Sequence, residues 1–119
     1  MRVCKRVTFD AAHFLPNYTG KCSQLHGHHW VVELAVSGKV DSITGMVTDF
    51  SILKGWMQEN IIDQFDHHLI NDLIPNPTAE NIAIWILEAF ISTTTEDEPP
   101  NLDFIRVWET EDSYAEVSV

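Results

Sequence analysis

At 119 residues and 45% apolar content, with four Trp and six Phe, the chain can build one hydrophobic core but not two, so a single globular domain over residues 1–119 is expected. A formal charge of −11 leaves no basic stripe to neutralise phosphates, which excludes nucleic acid as a partner, and no apolar run reaches the roughly 18–20 residues of a membrane span. Met1-Arg2-Val3-Cys4-Lys5-Arg6 lacks the apolar stretch of a signal peptide, and two cysteines make no disulfide scaffold, so a cytoplasmic protein is expected.

Val3, Val7 and Phe9 alternate with polar neighbours, the period of a half-buried strand ending near Asp10. Residues 11–25, with Pro16, Asn17, Gly20 and Lys21, read as a loop of functional length. The β-branched and aromatic run from Trp30 to Val36 predicts a second strand, closed by Ser37-Gly38-Lys39 and extending back to His26. Leu53, Trp56 and Met57 show helical spacing after Asp49 and Ser51, either of which can cap, and predict a helix over 52–64. Thr78 is the expected cap of a second helix, with Glu80 near its positive end and an apolar stripe of Ile82, Trp85, Ile86, Ala89 and Phe90. Residues 92–101 are acidic and Pro-rich and read as a loop. Residues 102–109 and 114–119 read as strands around Glu111-Asp112-Ser113. The order ββααββ implies an α+β fold, an antiparallel four-stranded sheet with both helices on one face. Its two free sheet edges make association of subunits an expectation of its own.

His26-Gly27-His28 places two imidazoles on one side of a strand, where they can share a metal ion or stand as ordinary surface histidines. His13, after the neighbouring strand, can complete a set of three neutral imidazoles, which leaves an open coordination position of the catalytic zinc type. His29 points to the opposite face. Cys22, beside Lys21, is open to reading as a thiolate base or nucleophile, a fourth metal ligand, or a small buried residue. Cys4 reads as packing. Asp66-His67-His68 can relay a proton or simply cap the helix before it. Glu109, in an apolar strand, is a carboxylate either at an edge or binding something.

Taken in chain order, these segments resemble the pyruvoyl- and carboxy-tetrahydropterin synthase family over nearly the whole sequence. Phe9-Asp10-Ala11-Ala12-His13 resembles Phe-x-Ala-x-His, and Cys22-Ser23-Gln24-Leu25-His26-Gly27-His28 resembles Cys-x-x-x-His-Gly-His. Gly45 to Phe50 resembles Gly-Met-Val-x-Asp-Phe, and Asp66 to Asn71 resembles Asp-His-x-x-Leu-Asn. Pro77-Thr78-Ala79-Glu80-Asn81 and Glu109-Thr110 are similar to the family's Pro-Thr-x-Glu-Asn and terminal Glu-Thr. His29 departs from the Asn often found there.

The resemblance implies a T-fold whose subunits join their sheets into a barrel, commonly a hexamer built from trimers, with active sites between subunits. It implies Zn2+ on His13, His26 and His28, a catalytic thiol at Cys22, a proton relay at Asp66 and His67, and substrate binding by Glu109, Thr78 and Glu80. The implied substrate is 7,8-dihydroneopterin triphosphate, a small polyanion that so acidic a chain repels at long range and must meet with local cations. Compact length and the Asp-His-His-Leu form favour the 6-carboxy product of the queuosine pathway. The pyruvoyl product and a non-catalytic zinc- and pterin-binding module are the competing readings.

Overall fold

The computed structural model describes residues 1–94 and 101–119. The first strand, β1, spans Arg2–His13, and β2 spans His26–Ser37. They pair antiparallel over their full lengths, from Arg2 opposite Ser37 to His13 opposite His26. Period-2 alternation puts Val7, Phe9, Ala11 and His13 of β1 and Trp30, Val32, Leu34 and Val36 of β2 on the buried face. The strand expected to end near Asp10 thus continues three residues further. Ala11-Ala12-His13 lacks β-branched residues, but it is held on one side by His26–His28 and on the other by a parallel bridge from Ala12 to Leu69. Tertiary pairing overrides weak intrinsic propensity there. The long loop therefore begins after His13, and it contains one 3₁₀ turn, Lys21–Ser23.

Helix α1 spans Phe50–Met57, and the Asp49 carboxylate caps it by accepting from the Ser51 amide at 2.8 Å. The continuous helix expected over 52–64 starts two residues earlier and is broken in register. A π turn, Gln58–Ile62, leads into the short helix α2, Asp63–Phe65, with the Asp63 amide reaching back to the Gln58 carbonyl. Helix α3 spans Ala79–Thr93, and the Thr78 hydroxyl accepts from the Asn81 amide at 3.1 Å as its cap. Its stripe of Ile82, Ala83, Ile86 and Phe90 faces the sheet.

Strand β3, Asn101–Thr110, and β4, Ser113–Ser118, complete an antiparallel sheet in the order β1-β2-β3-β4. Of the acidic segment expected as a loop, Ser92 and Thr93 belong to α3 and Asn101 opens β3, while 95–100 lie outside the described residues. The core joins the sheet residues to Leu53, Met57, Ile61, Phe65, Ile82 and Ile86 from the helical side. Each such side chain fully removed from water contributes roughly 1.5–3 kcal/mol. The fold is the α+β arrangement of a four-stranded antiparallel sheet with helices on one face.

Two features of this frame shape one end of the sheet. Strand β3 pairs with β2 only as far as Val31 opposite Trp108, so among the described residues His26 to Trp30 have β1 as their only sheet partner. The chain leaving α2 docks on β1 instead, where the Ala12 amide donates to the His68 carbonyl at 3.3 Å.

Candidate active site

Buried Trp30 forms the floor. The rings of His13 and His28 stand edge-on to it at 5.0 and 5.3 Å, and its indole N–H donates to the Ala11 carbonyl at 3.2 Å. His13 ends β1, while His26 and His28 occupy same-face positions at the start of β2. The spacing legible in the sequence therefore converges in space. The donor atoms of His13, His26, His28 and Glu109 all lie within 4.8 Å of one another, close enough to share one ion.

The outer contacts orient these rings. His13 Nδ1 donates to the Pro77 carbonyl at 2.8 Å and His26 Nδ1 to the Gln24 carbonyl at 2.7 Å, which leaves both Nε2 lone pairs facing inward, 3.0 Å apart. His28 Nε2 is buried and lacks a hydrogen-bond partner, although Glu109 Oε1 lies 3.1 Å away. An orphaned imidazole nitrogen aimed at two further lone pairs fits a bound cation better than any internal hydrogen bond. Burial lowers the pKa of both His13 and His28 below the ordinary imidazole value, against the opposing pull of Glu109 and, for His13, of the Pro77 carbonyl. The neutral, metal-ready form is thereby favoured.

A pH dependence follows. Protons compete with a metal for these two rings only below the usual imidazole value of about 6.5, so retention of an added divalent metal in equilibrium dialysis should survive to a lower pH than for exposed imidazoles. Without metal, the unfolded chain binds more protons than the folded one below that value. The apo-protein should accordingly lose stability as pH falls from about 6.5 through the depressed folded values.

Glu109 sits two and four residues from buried Val107 and Ile105, so strand period alone points its carboxylate to the core face beside the histidines. That signal lies in the sequence, whereas membership of the metal-donor group emerges only in the folded chain. Asp66 and His67 lie on the segment after α2. Asp66 Oδ2 is 3.0 Å from His67 Nδ1, and Asp66 Oδ1 accepts from the Asp10 amide at 2.9 Å. This second bond, with His67 beside it, lowers the Asp66 pKa and keeps the carboxylate ionised. His67 takes a left-handed backbone, φ 59°, fixed by its amide donating to the Asp10 carbonyl at 2.7 Å. Asn71 secures the same junction, accepting from the Phe14 amide at 3.0 Å and donating to the Phe14 carbonyl at 2.9 Å. No local pattern around Asn71 signals this bridging role, because Phe14 lies 57 residues away in sequence.

Two depressions of about 600 Å³ each meet at Gly27, His28 and His29. One is lined further by Arg6, Trp108 and Glu109, the other by Asp10 and His67. The structure thus brings His13, His26, His28 and Glu109 together and sets His67 along the same wall. Cys22, half-buried in the 3₁₀ turn, lies outside both linings and outside the donor group within one chain. Thr78 and Glu80 are likewise outside: Thr78 is committed to capping and Glu80 is exposed in the first turn of α3. Thr78→Ala should lower stability by about 1 kcal/mol, measured as a denaturation midpoint shift, whatever its effect on substrate.

A family model described as 6-pyruvoyl tetrahydropterin synthase matches residues 2–119. A relative from Synechocystis sp. named 6-carboxy-5,6,7,8-tetrahydropterin synthase is 37% identical over 114 residues, covering 91% of this chain and 85% of its own. A relative from Pyrococcus furiosus named dihydroneopterin monophosphate aldolase is 38% identical over 87 residues, 73% of this chain and 72% of its own. Among solved structures, the Caenorhabditis elegans 6-pyruvoyl tetrahydropterin synthase superposes with a TM-score of 0.87 at 26% identity, over 100% of this chain and 95% of that one.

Proposed function

Because the chain belongs to the 6-pyruvoyl tetrahydropterin synthase family, we propose that this single-domain enzyme is a zinc-dependent lyase converting 7,8-dihydroneopterin triphosphate to 6-carboxy-5,6,7,8-tetrahydropterin, with loss of acetaldehyde and triphosphate. The observation that carries the reading is the convergence of three histidines, two of them tautomer-fixed by backbone carbonyls and the third with an orphaned Nε2. The name borne by the Synechocystis relative supports the carboxy product and, through it, a place in queuosine biosynthesis.

His13, His26 and His28 would hold the zinc, which when bound supplies a Lewis acid that lowers the pKa of substrate hydroxyls. Glu109 accepts hydrogen bonds from the amino-pyrimidine edge and fixes the pterin before chemistry. Asp66 orients His67 through Nδ1, so that His67 Nε2 takes and returns protons at the substrate side chain, with Cys22 as the second proton-transfer group. In one chain Cys22 stands apart from the histidines, which supports sites assembled between subunits in a cytoplasmic homo-oligomer, a hexamer of two trimers. Thr78 and Glu80 are proposed on resemblance alone to assist substrate binding. Among the described residues Arg6 is the only Lys or Arg lining either depression, and it is 3.2 Å from Glu33, so cations for the triphosphate would come from a neighbouring copy.

The shortage of cations and the Pyrococcus relative's name favour a second reading, an aldolase acting on a pterin monophosphate. Incubating the zinc-loaded protein in parallel with 7,8-dihydroneopterin triphosphate and with the monophosphate, and assaying acetaldehyde, free triphosphate and pterin products together, decides among the readings. Acetaldehyde with the 6-carboxy pterin is the expected result. Triphosphate without acetaldehyde indicates the pyruvoyl synthase, and turnover of the monophosphate alone indicates the aldolase. Tight pterin binding without turnover of either leaves a binding module.

A further inference from the structure

The segment 66–71 runs along the outer edge of β1 and meets it at every second residue. The Asp10 amide donates to the Asp66 carboxylate and its carbonyl accepts from the His67 amide, and the Ala12 amide donates to the His68 carbonyl. At Phe14 both backbone groups go to one side chain, the amide to Asn71 Oδ1 at 3.0 Å and the carbonyl to Asn71 Nδ2 at 2.9 Å. A side-chain amide offers an acceptor and donors side by side, so Asn71 ends the row as a further strand residue would. The 3₁₀ turn Ile70–Asp72 presents it, and buried Ile70 pins that turn to the core. Directly after the clamped residue, the Leu15 amide donates to the Cys22 carbonyl at 2.9 Å and joins the two arms of the loop.

On the reading above, in which the Cys22 thiol transfers a proton, we propose that Asn71 is a positioning residue for that thiol. By clamping Phe14 it fixes Leu15, and through the Leu15–Cys22 bond it sets where the loop carries the sulfur. His13 lies one residue before the clamp but keeps its place by other means, the Pro77 carbonyl and its pairing with His26. Loss of the Asn71 amide therefore displaces the thiol and leaves the metal ligands standing. Leucine, of similar shape and no charge, removes both hydrogen bonds at once.

The test measures zinc content, kcat and KM on 7,8-dihydroneopterin triphosphate, or on the monophosphate if the wild type turns over only that. It also measures alkylation of Cys22 by iodoacetamide in protein carrying Cys4→Ser, where Cys22 is the only thiol left. Asn71→Leu should lower kcat by about 10²-fold, the scale of a displaced catalytic group, with KM and zinc content unchanged. It should speed alkylation about 3- to 10-fold, the opening that losing one net hydrogen bond permits. In a Cys22→Ala background the same substitution should cost nothing further in kcat. If Asn71→Leu does not fold, Asn71→Asp carries the same expectations, since it keeps an acceptor for the Phe14 amide and loses the donor to its carbonyl. Losses that multiply in the double variant, or an unchanged kcat or alkylation rate in the single one, overturn the proposal and leave the pterin reading in place. A wild type that turns over neither phosphate overturns the pterin reading and this proposal with it.

Discussion

His28→Ala protein should emerge from zinc loading and dialysis with the metal site empty and without lyase activity, while its circular dichroism stays that of the wild type. The expectation rests on the geometry at Nε2. That nitrogen is buried without a hydrogen-bond partner and faces the inward nitrogens of His13 and His26. Removing the ring leaves two imidazoles to hold the ion. Loss of an outer hydrogen-bond partner of a ligand already costs about 10- to 100-fold in metal affinity, and loss of a ligand should exceed that. Little core packing is at stake, because the side chain is at the rim of the site and 21% exposed. Stoichiometric zinc at wild-type affinity in this variant would mean that Glu109 and the other groups hold the metal, and the three-histidine assignment would fall.

Cys22→Ala should lower kcat by about 10²- to 10⁴-fold, the usual contribution of a positioned proton-transfer group, with zinc content and pterin affinity retained. A loss in kcat with an unchanged binding constant separates a chemical role from a structural one. It also excludes the thiol as a fourth zinc ligand, since removing a ligand would lower metal affinity. Full activity in Cys22→Ala would remove the thiol from the proposed mechanism and leave the Asp66–His67 pair as its proposed proton-transfer group.

The parts of the fold legible from residue order were those that obey a local period or cap. Trp30, Val32, Leu34 and Val36 alternate into the core, and Asp49 and Thr78 cap helices where their side chains can reach the next amides. The histidine pair of β2 was readable for the same reason, since period 2 needs no tertiary information. The last three residues of β1 were not, because Ala11-Ala12-His13 is strand only through its neighbours on both sides. The Pro77 carbonyl that orients His13 lies 64 residues away in sequence, a contact no local pattern encodes. Glu109 stands between: its face was computable, but its company was not.

The π turn between α1 and α2 has a consequence for chain length. An α-helix advances about 100° per residue, so the wider turn over Gln58–Ile62 lodges one residue more than an α-helix of the same rise and re-aims everything after it. Phe65 still lands in the core, stacked 5.4 Å from Phe9, and the next residue, Asp66, arrives against the Asp10 amide. Wound as a regular α-helix at the same residue count, this stretch would swing Asp66 by about a quarter turn, forfeiting either the aromatic stack or the carboxylate contact. The wider turn is therefore what lets the residue count between Trp56 and Phe65 deliver Asp66 to the Asp10 amide at the candidate site.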